Sequence, residues 1–488
     1  MEDLGNQIKP KKVKREKDIR ELISSYLIAG IDVDQRLGLN TTPSFLSEIN
    51  IVLPAELLSK IFIHCLPCFP VDPSPYQAPL LLTQICRLWR DTAHSTPQLW
   101  SSLILHIYSD CTESSCEAML SRSWLSRSGD LPLSLKLSFH RDMLLRDIEH
   151  NPLFQLVCSY APRWKDIHIF IRTEGAIRSL SAVSGQLTSL ESLDIDLGIL
   201  AHNQINPTDV FQDAPRLRSI TIQVDFDSVS LYAFKLPWIS ITSLDIMSFY
   251  SDDKSFAILG QCRNLVTLRL VSLGDPSGRE DRLAPIEFSQ LRTLNLGVSI
   301  SARRVFRYLS TPVLNHLDLS QTSMGGFVER VSGPWVAGND FHSFLGRSKG
   351  SITSFSLSLV AGAEFLPHDL TRYLTETPIL KEFTLRDHGA HALTAETLQR
   401  LTPGTPDCLV PWIQTLVISC SWEDFPDEAC AEMISRRVAC DPRTLRSIQL
   451  FCEDDRAHRR PIATASALRR CAQQGVTARL ASHGPTPL

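Results

Sequence analysis

Two short arrangements in the chain carry residue types suited to metal or redox chemistry. Cys65-x-x-Cys68 sets two thiols at a spacing used by zinc sites and by dithiol redox centres, and His388-Gly389-Ala390-His391 brings two imidazoles together. A structural zinc site takes four ligands. No second CxxC or paired histidine follows Cys65 at usable spacing, and the histidine pair stands in a glycine-containing loop. The plainer reading of Cys65 and Cys68 is packing at a helix end. No P-loop, dinucleotide-binding glycine fingerprint or HExxH motif occurs. No metal or cofactor is expected, and no nucleophile is singled out.

The chemistry that does recur is binding chemistry set on a repeat. One pattern returns along the chain: an apolar residue, two variable residues, an apolar, one variable, an apolar. It runs through Trp164/Ile167/Ile169, Leu190/Leu193/Ile195, Leu217/Ile220/Ile222, Ile241/Leu244/Ile246, Leu265/Leu268/Leu270 and Leu291/Leu294/Leu296. It continues at Leu314/Leu317/Leu319, Ile352/Phe355/Leu357, Leu380/Phe383/Leu385, Ile413/Leu416/Ile418 and Leu445/Ile448/Leu450. Most intervals lie within or near the period of roughly 20–29 residues of leucine-rich repeats, and the longer ones imply insertions. Leu103–Ile107 and Leu133–Phe139 alternate apolar residues and are predicted to be two earlier strands.

Several strands are preceded by proline, as in Ala214-Pro215-Arg216-Leu217, Thr311-Pro312-Val313-Leu314 and Thr377-Pro378-Ile379-Leu380. Proline ends a preceding helix and permits the turn into the strand. Between strands lie helix-like stretches such as 255–261 and 302–310. A strand–helix unit cannot bury its apolar face alone, so neighbours must stack. The expected fold is α/β: a leucine-rich-repeat solenoid over 101–455, with a curved parallel sheet inside and helices outside.

Alternate side chains of a strand face opposite ways. The residue between the last two apolar positions is therefore predicted to face the concave side: His168, Asp194, Thr221, Asp245, Arg269, Asn295 and Asp318 in the first units. Three aspartates against one arginine predict a mildly acidic face over 190–320 that favours a basic segment of a target. Ordinary polarity of a solvated strand face is the alternative. Asp194, Asp245, Arg269 and Asp318 are candidate target-binding residues. The insertions at 321–350 and 387–412 are candidate recognition loops, because loops on a rigid scaffold often carry binding. Trp335 in the first is a candidate anchor, or packs that loop down.

Composition narrows the classes. The chain has 488 residues, 43% hydrophobic and 21% charged, with 49 Lys+Arg against 53 Asp+Glu and a net charge of −4. Such a chain can bury a large core, and its balance points to neither nucleic acid nor membrane as the main partner. No apolar run approaches the ~18 residues of a spanning helix. The 13 cysteines are scattered and odd in number, which suits a reducing compartment. An intracellular protein, cytoplasmic and/or nuclear, is expected. Lys9, Lys11, Lys12, Lys14, Arg15 and Lys17 form a basic run that import receptors could read or that is simply a solvated tail. Ile19, Leu22, Ile23, Tyr26 and Leu27 give a short amphipathic helix within the basic, partly disordered segment 1–50.

Residues 51–100 differ from the array. They open Leu53-Pro54-Ala55-Glu56-Leu57-Leu58-Ser59-Lys60-Ile61-Phe62 and close on Cys86-Arg87-Leu88-Trp89-Arg90-Asp91 and Pro97-Gln98-Leu99-Trp100. Pro54 suits a helix start, Glu56 the positive end of its dipole, and Leu57, Leu58, Ile61 and Phe62 mark an amphipathic face. A second helical stretch is expected over 80–94, with Leu81, Leu82, Ile85, Leu88 and Trp89 as its apolar side. Between them a Pro-rich insert, 67–79, carries Pro67, Pro70, Pro73, Pro75 and Pro79.

This ordered series resembles an F-box, the small helical module that docks onto the adaptor subunit of a cullin–RING ubiquitin ligase. With its insert and the repeats that follow, the chain resembles fungal-type F-box proteins with a degenerate leucine-rich-repeat array. The resemblance implies an adaptor-binding set of Leu53, Pro54, Leu57, Ile61, Phe62, Leu82, Ile85 and Trp89. It implies a non-catalytic substrate receptor of an SCF-type ligase, whose array holds an unknown target protein and whose partner subunits supply the transfer chemistry. The alternative is a ligase-independent repeat scaffold with a drifted F-box. Residues 456–488 are expected to form a last helix and a frayed tail.

Overall fold

The computed structural model of the chain describes residues 53–67, 70–108, 111–139, 148–171, 174–197, 208–223, 234–249, 253–272, 285–298, 303–321, 338–348, 350–360, 365–404, 407–422, 425–440, 444–452 and 461–481. They fall into two compact units. One comprises the residues up to Trp100 together with Arg127–Gly129; the other comprises Ser101–Ser126 and the chain from Asp130.

In the first unit, α1 spans Ala55–His64. Pro54 precedes it in extended conformation, and its carbonyl accepts from the N–H groups of Leu57 and Leu58 at 3.0 and 3.1 Å. Proline loses nothing at a helix start, where the first N–H groups have no intrahelical partner. Leu58 and Phe62 turn inward. The helix predicted over 80–94 is two helices, α2 at Leu82–Ile85 and α3 at Arg87–His94. Cys86 between them is extended, with φ −156° and ψ 172°, and its Sγ accepts from Trp89 N at 3.5 Å. An apolar stripe continues across this break, which is why periodicity alone missed it. A 3₁₀ turn, Pro97–Trp100, closes the unit. Its core joins Phe62 to Trp89, ring centroids 5.0 Å apart, and ties Trp100 Nε1 to Ala93 O at 2.8 Å.

The second unit is one parallel sheet of 14 strands whose spatial order is the chain order. We number them β1 Ser102–Ile107, β2 Leu133–Phe139, β3 Trp164–Phe170, β4 Ser192–Asp196, β5 Ser219–Gln223, β6 Ser243–Phe249 and β7 Thr267–Ser272. The rest are β8 Thr293–Val298, β9 His316–Gln321, β10 Ser354–Val360, β11 Glu382–His388, β12 Thr415–Cys420, β13 Ser447–Cys452 and β14 Thr477–Ala481. Helices join them, including α4 Cys116–Arg127, α5 Pro152–Ser159, α6 Glu174–Ser179, α7 Asp253–Leu259, α8 Arg303–Tyr308 and α9 Gly338–Arg347. α10 Pro367–Thr375, α11 Ala395–Arg400, α12 Asp427–Ala439 and α13 Ile462–Gln473 follow.

The cross-strand register is the repeat made visible. Leu193, Ile220, Leu244, Leu268, Leu294 and Leu317 pair in one row, and Ile195, Ile222, Ile246, Leu270, Leu296 and Leu319 in another. All twelve side chains are buried. Keeping every apolar position in register is what lets each unit cover its neighbour. Under β8–β11 the filling is aromatic: Phe341 on α9 lies 4.8 Å from Phe306, 4.6 Å from Tyr373 and 6.4 Å from Phe355, centroid to centroid.

The array runs further than its predicted end at residue 455. α13 and β14 form one more unit, with β14 paired in parallel to β13. Ala478 and Leu480 continue the two apolar rows, and Gly475 at φ +83° makes the left-handed turn that ends α13. The expected tail beyond 481 lies outside the described residues. Asp427 on α12 anchors this unit, its carboxylate accepting from Ala463 N at 2.9 Å and Thr464 N at 2.7 Å. Partial burial alone would raise its pKa, but these hydrogen bonds outweigh it and hold the carboxyl below its usual value. The folded state therefore favours the ionised form. The resulting stability is fully present above the unfolded carboxyl pKa, ~3.9, and is lost as pH falls through the lower folded value. Asp427→Asn should flatten that acid limb, read as the pH dependence of urea midpoints for both proteins.

Candidate protein-binding surfaces

The adaptor-binding set predicted for the helical unit divides in two. Leu57 and Ile61, one turn apart on α1, are each 45% exposed, Pro54 is exposed, and Leu53 is half-buried. Leu57 and Ile61, four residues apart, share one face of α1, and Leu53 precedes the helix. Phe62 and Leu82 do not belong with them. Both are buried, Phe62 against Trp89, so these two form the module's core and are corrected from binding to packing residues. The reason is geometric: Phe62 shares the inward side of α1 with Leu58, four residues before it. Ile85 and Trp89 are half-buried. Leu88, 38% exposed, was not in the predicted set. Cys65 is exposed, and Cys68 lies outside the described residues.

The predicted outward row of the array exists as one line of cross-strand neighbours. Lys136, His168, Asp194, Thr221, Asp245 and Arg269 pair successively, followed by Asn295 and Asp318. Two of its aspartates are paired within the row. Asp194 Oδ2 lies 2.7 Å from His168 Nδ1, and Asp245 Oδ2 accepts from Arg269 Nη1 at 3.1 Å. Two of the three aspartates thus have a partner in their own row, the imidazole of His168 for one and the guanidinium of Arg269 for the other. The remaining oxygens, Asp194 Oδ1 and Asp245 Oδ1, are buried without a hydrogen-bond partner among the described residues. Sequence reasoning named these residues correctly by column but could not pair them, because partners 24 and 26 residues apart meet only through the register.

A second outward row escaped notice: Ser192, Ser219, Ser243, Thr267 and Thr293 stand side by side. Its signal was available, two residues before each position of the first row. Trp335 lies outside the described residues, as does most of the first insertion.

Of the paired histidines, His391 lines a cavity of about 420 Å³ at the ends of β11 and β12, together with Asp387, Thr394, Ser421 and Phe425 among others. Asp387 offers no free carboxylate there, since its two oxygens accept from Ala390 N and Ala392 N at 2.7 and 2.6 Å. Among the described residues no group of three or more His, Cys, Asp and Glu could hold a metal ion. One serine motif was missed in the sequence: Gly346-Arg347-Ser348-Lys349-Gly350 has the spacing of a nucleophile elbow. That elbow needs a strand before the serine and a helix after it. Here Ser348 follows α9, is buried, and shares a 2.8 Å hydrogen bond with Thr311 Oγ1, so it closes a helix end. No helix among the described residues is long and apolar enough to cross a membrane.

No protein-family model matches the chain. No curated protein matches it either. Among solved structures, the leucine-rich-repeat-containing protein LegL7 from Legionella pneumophila is similar over 77% of this chain and 91% of that one. The identity is 14% and the TM-score 0.29. The chain's leucine-rich-repeat type of fold, a long parallel sheet of strand–helix units, stands on its own period and register.

Proposed function

We propose that this protein is a non-catalytic substrate receptor of an SCF-type cullin–RING ubiquitin ligase. The helical unit docks the adaptor subunit through Leu53, Pro54, Leu57 and Ile61, and the repeat array holds a target protein. The observation that carries the reading is the pair Leu57 and Ile61, two large aliphatic side chains left 45% exposed on the first helix of a small module. Aliphatic clusters kept in water at such cost serve as interface anchors. Ubiquitin transfer would then be the work of partner subunits, with this chain raising the effective concentration of a target lysine. The array supports a protein-binding role because stacked units present a long, regular face that no single core residue occupies.

The withdrawal of Phe62 and Leu82 into the core favours a second reading, a ligase-independent binding scaffold in which the module has drifted. A pull-down of the purified chain with the adaptor subunit separates them. Binding by the wild type that is lost in Leu53→Ala/Pro54→Ala supports the receptor. No binding by the wild type leaves the scaffold.

A further inference from the structure

The edge of the sheet where the strands begin has a character of its own. Lys165, Glu191, Arg218, Thr242, Val266 and Arg292 form one row, each backbone N–H donating to the carbonyl of the residue before it in that order, at 2.8 to 2.9 Å. The same ladder continues through Asn315, Thr353, Lys381, Gln414 and Arg446. The row's charged members are five cations and a single carboxylate. That carboxylate, Glu191, is committed to Lys165 at 3.6 Å. Arg218, Arg292, Lys381 and Arg446 are exposed, and none of them is ion-paired among the described residues. Glu382, also exposed, follows Lys381 in the chain and belongs to the next row. The rim is therefore basic, although the whole chain is acidic by four charges.

Beside these cations the rim carries apolar side chains at one place in the repeat. Pro312-Val313, Pro378-Ile379 and Pro411-Trp412 each stand immediately before the first apolar residue of their unit. Val313 is 40% exposed, Trp412 is 54% exposed, and Ile379 is half-buried. With strands ~4.8 Å apart, β9 to β12 separates Val313 from Trp412 by roughly 14 Å along the rim.

Trp412 is held out by a built turn. Val410 adopts φ +43°, a left-handed conformation that a β-branched residue rarely takes. Leu409 N donates to Arg400 O at 2.7 Å and Ile413 N to Val410 O at 3.2 Å. Arg437 on α12, only 2% exposed, donates Nη2 to Leu409 O at 3.0 Å and Nη1 to Val410 O at 3.4 Å. No carboxylate faces that guanidinium among the described residues. Burial lowers its pKa to about 10, which still leaves it cationic at neutral pH. Strain of this kind persists where the surroundings over-determine it, and it clusters at functional sites. Here a buried arginine and a strained valine together fix a large aromatic side chain in solvent, on the unit between those of Lys381 and Arg446.

We propose that the rim over β9–β13 is a docking edge for an extended protein segment that is both acidic and apolar, with Trp412 as the central anchor and Lys381 and Arg446 as its charge-reading flanks. The inference rests on the array being the target-binding part of the protein, and it names the chemistry of what is bound. Charge complementarity requires carboxylates in the segment, and the aliphatic companions Val313 and Ile379 require apolar side chains. Nucleic acid would use the cations but has no use for the two aliphatic residues.

The test uses the full chain and fluorescein-labelled short peptides read by anisotropy. One peptide alternates leucine with glutamate, a second leucine with lysine, and a third glycine with glutamate; a labelled single-stranded oligonucleotide is the fourth probe. The leucine–glutamate peptide should bind and the other three should not. Trp412→Ala should weaken it about 30-fold, the loss of one interface anchor of ~2 kcal/mol. Lys381→Glu/Arg446→Glu should transfer preference to the leucine–lysine peptide, a gain that misfolding cannot produce. Equal binding of both leucine peptides overturns the proposal, as does unchanged binding by Trp412→Ala, preference for the oligonucleotide, or no binding at all. Adaptor pull-down reads the other unit, so either idea can fail alone.

Discussion

Replacing Leu57 and Ile61 together by glutamate should weaken retention of the adaptor subunit by about 100-fold or more while leaving the chain folded. Each side chain would be worth ~1.5–3 kcal/mol on full burial, and half of that surface is already available to a partner. A carboxylate carried into an apolar contact adds a desolvation penalty. Because both positions already face water, the isolated chain loses little, and its thermal midpoint should stay within a few degrees of the wild type. The measurement is binding affinity by calorimetry beside a melting curve. Phe62→Glu is the contrasting variant: its ring is fully buried against Trp89, so it should unfold the module as well as abolish binding. If the Leu57/Ile61 pair binds as the wild type does, the adaptor reading is lost, however well the helices superficially suit it.

Phe341→Ala should destabilise the array by ~3–5 kcal/mol, the range for removing a fully buried phenylalanine. Phe341 touches Phe306, Phe344, Phe355 and Tyr373, so four aromatic partners lose a face at once. Nearest-neighbour stacking predicts where the damage falls. Amide hydrogen exchange should accelerate in β8–β11 and hardly change in β3–β5. A uniform acceleration across all strands would show instead that the array opens as one cooperative unit.

The heptad-free, irregular period of this chain was enough to place nearly every strand. Apolar residues at the same three positions of each unit, from Trp164/Ile167/Ile169 to Leu445/Ile448/Leu450, sit where the sheet's buried rows require them. That is legible because alternation in a strand is a one-dimensional rule. The extra unit of α13 and β14 was missed because its apolar row shrinks to Ala478 and Leu480. The break at Cys86 was missed because helical periodicity can run through a capping residue without showing it.

Chain order, unit length and the inward or outward sense of each strand residue were determined by the sequence itself, since each depends on neighbours a few positions away. Which outward residues meet was decided by tertiary structure alone. His168 finds Asp194, Arg269 finds Asp245, and Lys381 and Arg446 come to flank the turn of Trp412 only because parallel pairing brings residues 24 to 33 apart into one row. The sign of a surface is a sum over such neighbours. An aspartate column read along the chain is acidic; read across the sheet, one aspartate meets an arginine and another a histidine, and the basic rim lies three positions earlier in each unit.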